Sequence, residues 1–94
     1  MMKQYELTVV FIPSLSSEKL VNTVKSVEKA VKAVKGKVIE TEDWGEKPFS
    51  YAIRKYNKGV FRHFVLSLPP ESVTEFKGKL KHFNEIMRLL LVVK

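Results

Sequence analysis

The chain has 94 residues, no cysteine, and 17 lysine and arginine residues against 10 acidic ones, which gives a net charge of +7. A chain of this length is expected to form one domain over residues 1–94 with a modest core, which argues against a deep catalytic cleft, and the absence of cysteine excludes disulfides and thiolate sites. The positive charge favours a polyanionic partner, although small proteins also carry charge of this size for solubility alone.

The first two predicted elements are a strand and a helix. Residues 4–12 are rich in β-branched and aromatic side chains, and Pro13, which cannot donate to a β-ladder, closes the strand. In the helix that follows, apolar residues recur every three or four positions, as Leu20, Val24, Val27, Val31 and Val34. Ser16 is a suitable N-cap, and Gly36 is expected to take the left-handed conformation that ends many helices.

A long β-hairpin is predicted over residues 41–65, with a polar tip that ends in Lys58 and Gly59. Gly45 interrupts the first arm, and a glycine inside a strand pattern indicates a bulge. The second arm is largely apolar on both faces. Because a sheet covered by helices on one side should have one polar face, this pattern indicates that a partner docks on the free face.

A second helix and a last strand complete the predicted fold. Val73, Phe76, Leu80 and Phe83 have helical spacing, and residues 86–93 are apolar except for Arg88. The element order βαββαβ predicts the α+β, ferredoxin-like split βαβ fold, a four-stranded antiparallel sheet with two helices on one face. The other face should carry Phe61, His63 and Val65 beside Thr8 and Val10.

The sequence contains no recognisable catalytic or metal-binding arrangement. His63 and His82 lie far apart without cysteine, the only aspartate has no nucleophile signature near it, and the four glycines are scattered. No apolar run approaches the roughly 18 residues that a membrane-spanning helix needs, and no cleavable leader is visible. We therefore expect a protein that is not an enzyme and that has no cofactor, no metal, no small-molecule substrate and no membrane association.

Two interpretations of the aromatic residues remain open at this point. Trp44 either packs at the bulge or stacks on a nucleic-acid base. Residues 58–65 agree with the RNA-recognition signature only in the first Lys-Gly pair and in scattered aromatics, and Arg62 lies where a stacking ring is needed. A stand-alone module that stacks single-stranded RNA on its sheet therefore remains the alternative function.

Landmarks along nearly the whole chain resemble one family. They are Tyr5-Glu6, Pro13 and Leu15, Gly36-Lys37-Val38, Trp44-Gly45, Tyr51-Ala52-Ile53 with Lys55, Gly59 with Phe61, Leu68-Pro69, and Arg88 before Val92-Val93-Lys94. In their joint order these residues resemble bacterial small-subunit ribosomal protein six. The resemblance implies a structural protein of the cytoplasmic ribosome that forms a heterodimer with small-subunit ribosomal protein eighteen and binds the central domain of 16S ribosomal RNA.

Candidate contact residues follow from the charge pattern and the predicted free face. Acidic residues cluster around Trp44, and the cations that follow have no acid among them, so phosphate should meet the later part of the hairpin. The predicted RNA-binding residues are Lys47, Arg54, Lys55, Lys58 and Arg88. The predicted partner-binding residues are Phe61, His63, Val65 and Val10.

Overall fold

The computed structural model describes residues 2–53 and 55–94, with residues 50–53 described by their backbone alone. The elements are β1 (Lys3–Phe11), α1 (Ser17–Ala33), β2 (Lys37–Ile53), β3 (Tyr56–Leu68), α2 (Val73–Leu80) and β4 (Ile86–Val93). A short 3-10 turn, Pro70–Ser72, precedes α2. This order confirms the predicted βαββαβ fold.

The four strands form one antiparallel sheet in the order β2-β3-β1-β4, so β2 and β4 are its edges. Side chains alternate between the two faces of a strand. One face packs against the apolar sides of both helices, and its buried strand residues are Tyr5, Leu7, Val9, Phe11, Phe64, Leu66, Leu68 and Ile86. The helices supply Val27, Val31, Phe76 and Leu80 to the same core. Both helices therefore lie on one face, as predicted.

Helix α1 begins and packs as its sequence indicates. The hydroxyl Oγ of Ser16 accepts a hydrogen bond from the backbone N–H of Lys19 at 3.2 Å, which satisfies one of the free donors of the first turn. The predicted apolar stripe is buried from Val24 to Val34. No helix in the described part of the chain is long and apolar enough to cross a membrane.

The conformation predicted for Gly36 is wrong, because the left-handed residue at the end of α1 is Lys35, with φ of 65°. Gly36 instead lies where the chain passes close to β3. A Cβ atom at this position would overlap the side chain of Leu68 and come within 2.9 Å of the backbone oxygen of Ser67. Its lack of a side chain thus lets β2 start directly against the core.

The hairpin has the predicted bulge but not the predicted tip. Gly45 has φ of 76°, and the register between β2 and β3 shifts there. Lys58 and Gly59 lie inside β3. The pair of β2 and β3 residues nearest the turn is Ile53 with Tyr56, so the tip lies beyond the predicted position. Gly59 is required for space, since a Cβ atom there would lie 2.5 Å from Cγ1 of Val10 and 2.9 Å from Cζ of Phe49.

Candidate partner and RNA interface

The sheet face opposite the helices is free of any described helix, and the pairing register arranges its positions in rows across the strands. Residues opposite one another in an antiparallel ladder share a face. The rows are Gly45, Phe61, Val10 and Arg88; then Glu42, His63, Thr8 and Leu90; then Glu40, Val65, Glu6 and Val92. We refer to these three rows, together with Trp44 and Lys47, as the free face.

An aromatic stack fixes the centre of the free face. The rings of Trp44 and His63 are nearly parallel, with their centroids 4.7 Å apart and their planes inclined by 5°. The indole Nε1 donates a hydrogen bond to Oε2 of Glu42 at 2.8 Å. On the imidazole, Nδ1 lies 3.1 Å from Oγ1 of Thr8, and Nε2 lies 3.4 Å from Oε1 of Glu6. Trp44 therefore packs at the bulge, and His63 is held in one orientation.

A shallow apolar groove lies beside this stack. Its volume is about 470 Å³, and its lining consists of Thr8, Val10, Trp44, Phe61, Arg88, Leu89 and Leu90. Leu90 is 62% exposed and Trp44 is 39% exposed, and Val92 in the next row is also exposed. Large apolar side chains that are exposed side by side are typical of a surface that another molecule covers.

The four predicted partner-binding residues all lie on the free face, but they are not equally accessible. Phe61 and His63 are half-buried and reach the surface. Val65 and Val10 are only 5% and 7% exposed, so they support their neighbours and offer little contact area of their own. The sequence prediction missed Leu90 and Val92, although Arg88, Leu90 and Val92 alternate along β4 with its inward residues. That period of two could have identified them.

Two of the predicted RNA-binding cations lie on the free face. The ammonium group of Lys47 lies 5.3 Å from the ring centroid of Trp44 and 5.9 Å from that of Phe61, which places it within cation–π distance of both rings. Arg88 is exposed, pairs with Val10 and lines the groove. Both cations therefore lie beside the exposed apolar residues of the free face.

The other predicted cations are located elsewhere. Lys58 lies two positions from Val60, which packs on the core, so its side chain is directed to the helix side of the sheet. Its Nζ atom lies 3.1 Å from Oε1 of Glu46 in an exposed ion pair. Lys55 is exposed just before β3, with φ of 70°. Arg54 lies outside the described residues. The five predicted cations thus do not form a single cluster in the part of the chain that is described.

The fold and the surface together define a ferredoxin-like α+β protein with one sheet face covered by helices and the other apolar, charged and open. A sequence model of the family Ribosomal protein S6 matches residues 4–93. The chain therefore belongs to the ribosomal protein S6 family, whose members are structural components of the small ribosomal subunit and are not enzymes. This confirms the resemblance inferred from the landmarks and places the protein in the ribosome, a ribonucleoprotein.

Individual relatives agree with this assignment. Small ribosomal subunit protein bS6 of Phytoplasma mali (strain AT) is 26% identical over 91 residues, which is 97% of each chain. The bS6 protein of Lactobacillus helveticus (strain DPC 4571) is 29% identical over 90 residues, 95% of this chain and 92% of the relative. The crystal structure of 30S ribosomal protein S6 from Thermotoga maritima has a TM-score of 0.93 at 24% identity and covers all of this chain and 89% of the other. That similarity confirms the fold.

Proposed function

We propose that this protein binds small-subunit ribosomal protein eighteen through the free face and that the heterodimer binds the central domain of 16S ribosomal RNA. The observation that carries the proposal is the open sheet face, on which Trp44, Leu90 and Val92 are exposed around the half-buried Phe61. Leaving such residues in water costs about 25 cal/mol for each Å² that a partner could cover. The chain belongs to a ribosomal family, and in a ribosome other proteins and RNA are available to cover this face.

The RNA half of the proposal rests on the cations near the end of the hairpin. Lys55 and Lys58 are exposed there, with Arg54 adjacent in sequence. The ion pair between Lys58 and Glu46 is half-exposed, and a pair of this kind contributes about 0–1 kcal/mol. A phosphate group could therefore displace Glu46 at little cost. Contacts to phosphate would position the RNA without reading its sequence.

Replacing Phe61 with alanine is expected to weaken binding to protein eighteen about tenfold, or about 1.4 kcal/mol, because aromatic residues at the centre of an interface contribute most of its energy. Titration calorimetry on the purified pair without RNA measures this. Val21→Ala is the matched control, since Val21 is 51% exposed on α1, in the helix layer. An unchanged dissociation constant for the Phe61 variant would remove the partner half of the proposal.

The affinity of the heterodimer for a 16S central-domain fragment is expected to fall as salt rises, by about 0.7 to 0.9 log units per log unit of salt for each phosphate neutralised. Removing one phosphate contact should reduce the slope of log affinity against log salt by about 0.7 to 0.9. Filter binding at several salt concentrations compares the wild type with Lys55→Gln and Lys58→Gln. Lys29→Gln, on the exposed side of α1, is the control. An affinity independent of salt would contradict electrostatic RNA binding.

A stand-alone RNA-binding module is the second candidate, and the exposed ring of Trp44 favours it. In that case this chain alone should bind short single-stranded RNA, and Trp44→Ala should abolish the binding. Fluorescence anisotropy with labelled oligonucleotides separates the two functions. Binding that requires protein eighteen supports the heterodimer instead.

A further inference from the structure

Lys47 and Arg88 lie at the edge of the apolar groove without a carboxylate partner among the described residues. Lys47 lies over the rings of Trp44 and Phe61, and Arg88 lines the groove from β4. The ion pairs of the described chain involve other residues: Lys58 with Glu46, Arg62 with Asp43, and His63 with Glu6. Two exposed cations therefore flank a groove lined mainly by apolar residues, and neither forms an ion pair with a carboxylate of the described residues.

From this geometry we infer that Lys47 and Arg88 each bind a carboxylate of the protein partner, and that an apolar side chain between the two acids enters the groove. The inference rests on the proposed heterodimer and assigns these two residues to its protein interface and not to RNA. A cation held over an aromatic ring is pre-positioned, so little side-chain freedom is lost when a carboxylate docks. Arg88, on the opposite edge strand, can bind the second carboxylate through a bidentate contact.

Charge on the rest of the free face favours separate protein carboxylates over an RNA backbone. Glu42 lies one row beyond Arg88, and Glu40 and Glu6 lie in the row after that. An RNA strand crossing this face would bring successive phosphates against these acids, whereas the carboxylates of a protein can be placed at the two cations alone. Phosphodiesters also leave the apolar lining of Val10, Phe61 and Leu90 uncovered.

The same charges fix the direction in which the partner docks. Its acidic residues face Lys47 and the row of Arg88 and not the rows of Glu42 and Glu6. A fourth row lies beyond, with Lys37 beside Ser67 and Gln4. A partner segment turned through 180° would place its carboxylates against Glu6 and Glu40, and this repulsion disfavours the reversed arrangement.

The test compares neutral variants in two separate binding measurements. Lys47→Gln and Arg88→Gln are each expected to raise the dissociation constant for protein eighteen, measured by calorimetry without RNA, roughly threefold to tenfold. Arg88→Lys, which keeps the charge but loses the bidentate geometry, should give an affinity between those of the wild type and Arg88→Gln. Lys55→Gln, at the end of the hairpin, should not change it. All of these positions are exposed, and unchanged thermal melting confirms that the variants fold.

The second measurement uses the preassembled heterodimer at saturating concentrations and a 16S central-domain fragment. If Lys47 and Arg88 bind the partner, neither glutamine variant changes the RNA affinity, whereas Lys55→Gln lowers it. The inference is overturned if both variants bind protein eighteen like the wild type and lose affinity only for RNA, because the two cations would then contact phosphate. A wild-type chain that does not bind protein eighteen at all would overturn the proposed function itself.

Discussion

Replacing Phe64 with alanine is expected to lower the free energy of unfolding by about 3 to 5 kcal/mol. Phe64 is fully buried in β3, opposite Leu7 of the neighbouring central strand. The substitution removes apolar contacts and leaves a cavity that a sheet packed by helices on that side cannot close. Because domains of this size are typically stable by about 5 to 15 kcal/mol, the loss is a large part of the total.

The matched control is Phe61→Ala on the same strand, three residues earlier and on the free face. Phe61 is half-buried, so its truncation removes fewer buried contacts and opens no enclosed cavity, and the expected loss is clearly smaller than for Phe64. Urea unfolding followed by circular dichroism gives the free energy of unfolding of both variants. The slope of this free energy with urea concentration should be equal in the two variants. Equal losses at the two positions would mean that both faces are packed, and the proposal of an open partner surface would fail.

Much of the fold could be predicted because it depends on local periodicity. The apolar spacing in α1 and the alternation in β1 and β3 place residues on faces before any tertiary contact is known. The N-cap Ser16 contacts a residue only three positions later in the sequence, and its capping hydrogen bond is present as predicted. The order of the elements then left few possible topologies, and the observed sheet is the one that short right-handed connections favour.

The side of the sheet on which Lys47 lies could not be predicted, because it depends on a bulge in β2. Glu42 pairs with His63 on the free face, and without a bulge Lys47 would lie on the opposite face. The register shift between Asp43 and Gly45 reverses this alternation and brings Lys47 onto the free face. The sequence indicates that a bulge is present at Gly45, but the number of residues it inserts follows only from the pairing with β3.

Two glycines were also assigned the wrong role, for a related reason. The sequence predicts a left-handed conformation for Gly36 at the end of a helix, and it places Gly59 at the end of the hairpin tip. In the structure both are required because another element passes too close for a side chain. A local rule can identify where a glycine permits a positive φ, but close approach involves residues distant in sequence, such as Leu68 for Gly36 and Val10 for Gly59.

The same substitution at two glycines is expected to change stability in opposite directions. Gly36→Ala should lower the free energy of unfolding by about 1 to 3 kcal/mol, because its Cβ atom would overlap Leu68 and press against the backbone oxygen of Ser67. Leu68 is fully buried, and the oxygen belongs to a paired strand, so neither group can move away easily. Gly78→Ala should raise the free energy of unfolding by about 0.5 to 1 kcal/mol.

Gly78 lies inside α2, and a Cβ atom added there meets no other atom within 4 Å. Its substitution therefore changes backbone entropy and helix propensity alone, which makes it the control for the general effect of exchanging glycine for alanine. Denaturant unfolding of the two variants measures whether each substitution raises or lowers the free energy of unfolding. If Gly36→Ala were stabilising as well, β2 would not approach β3 as closely as described, and the register that brings Glu40, Glu42 and Lys47 onto the free face would have to be revised.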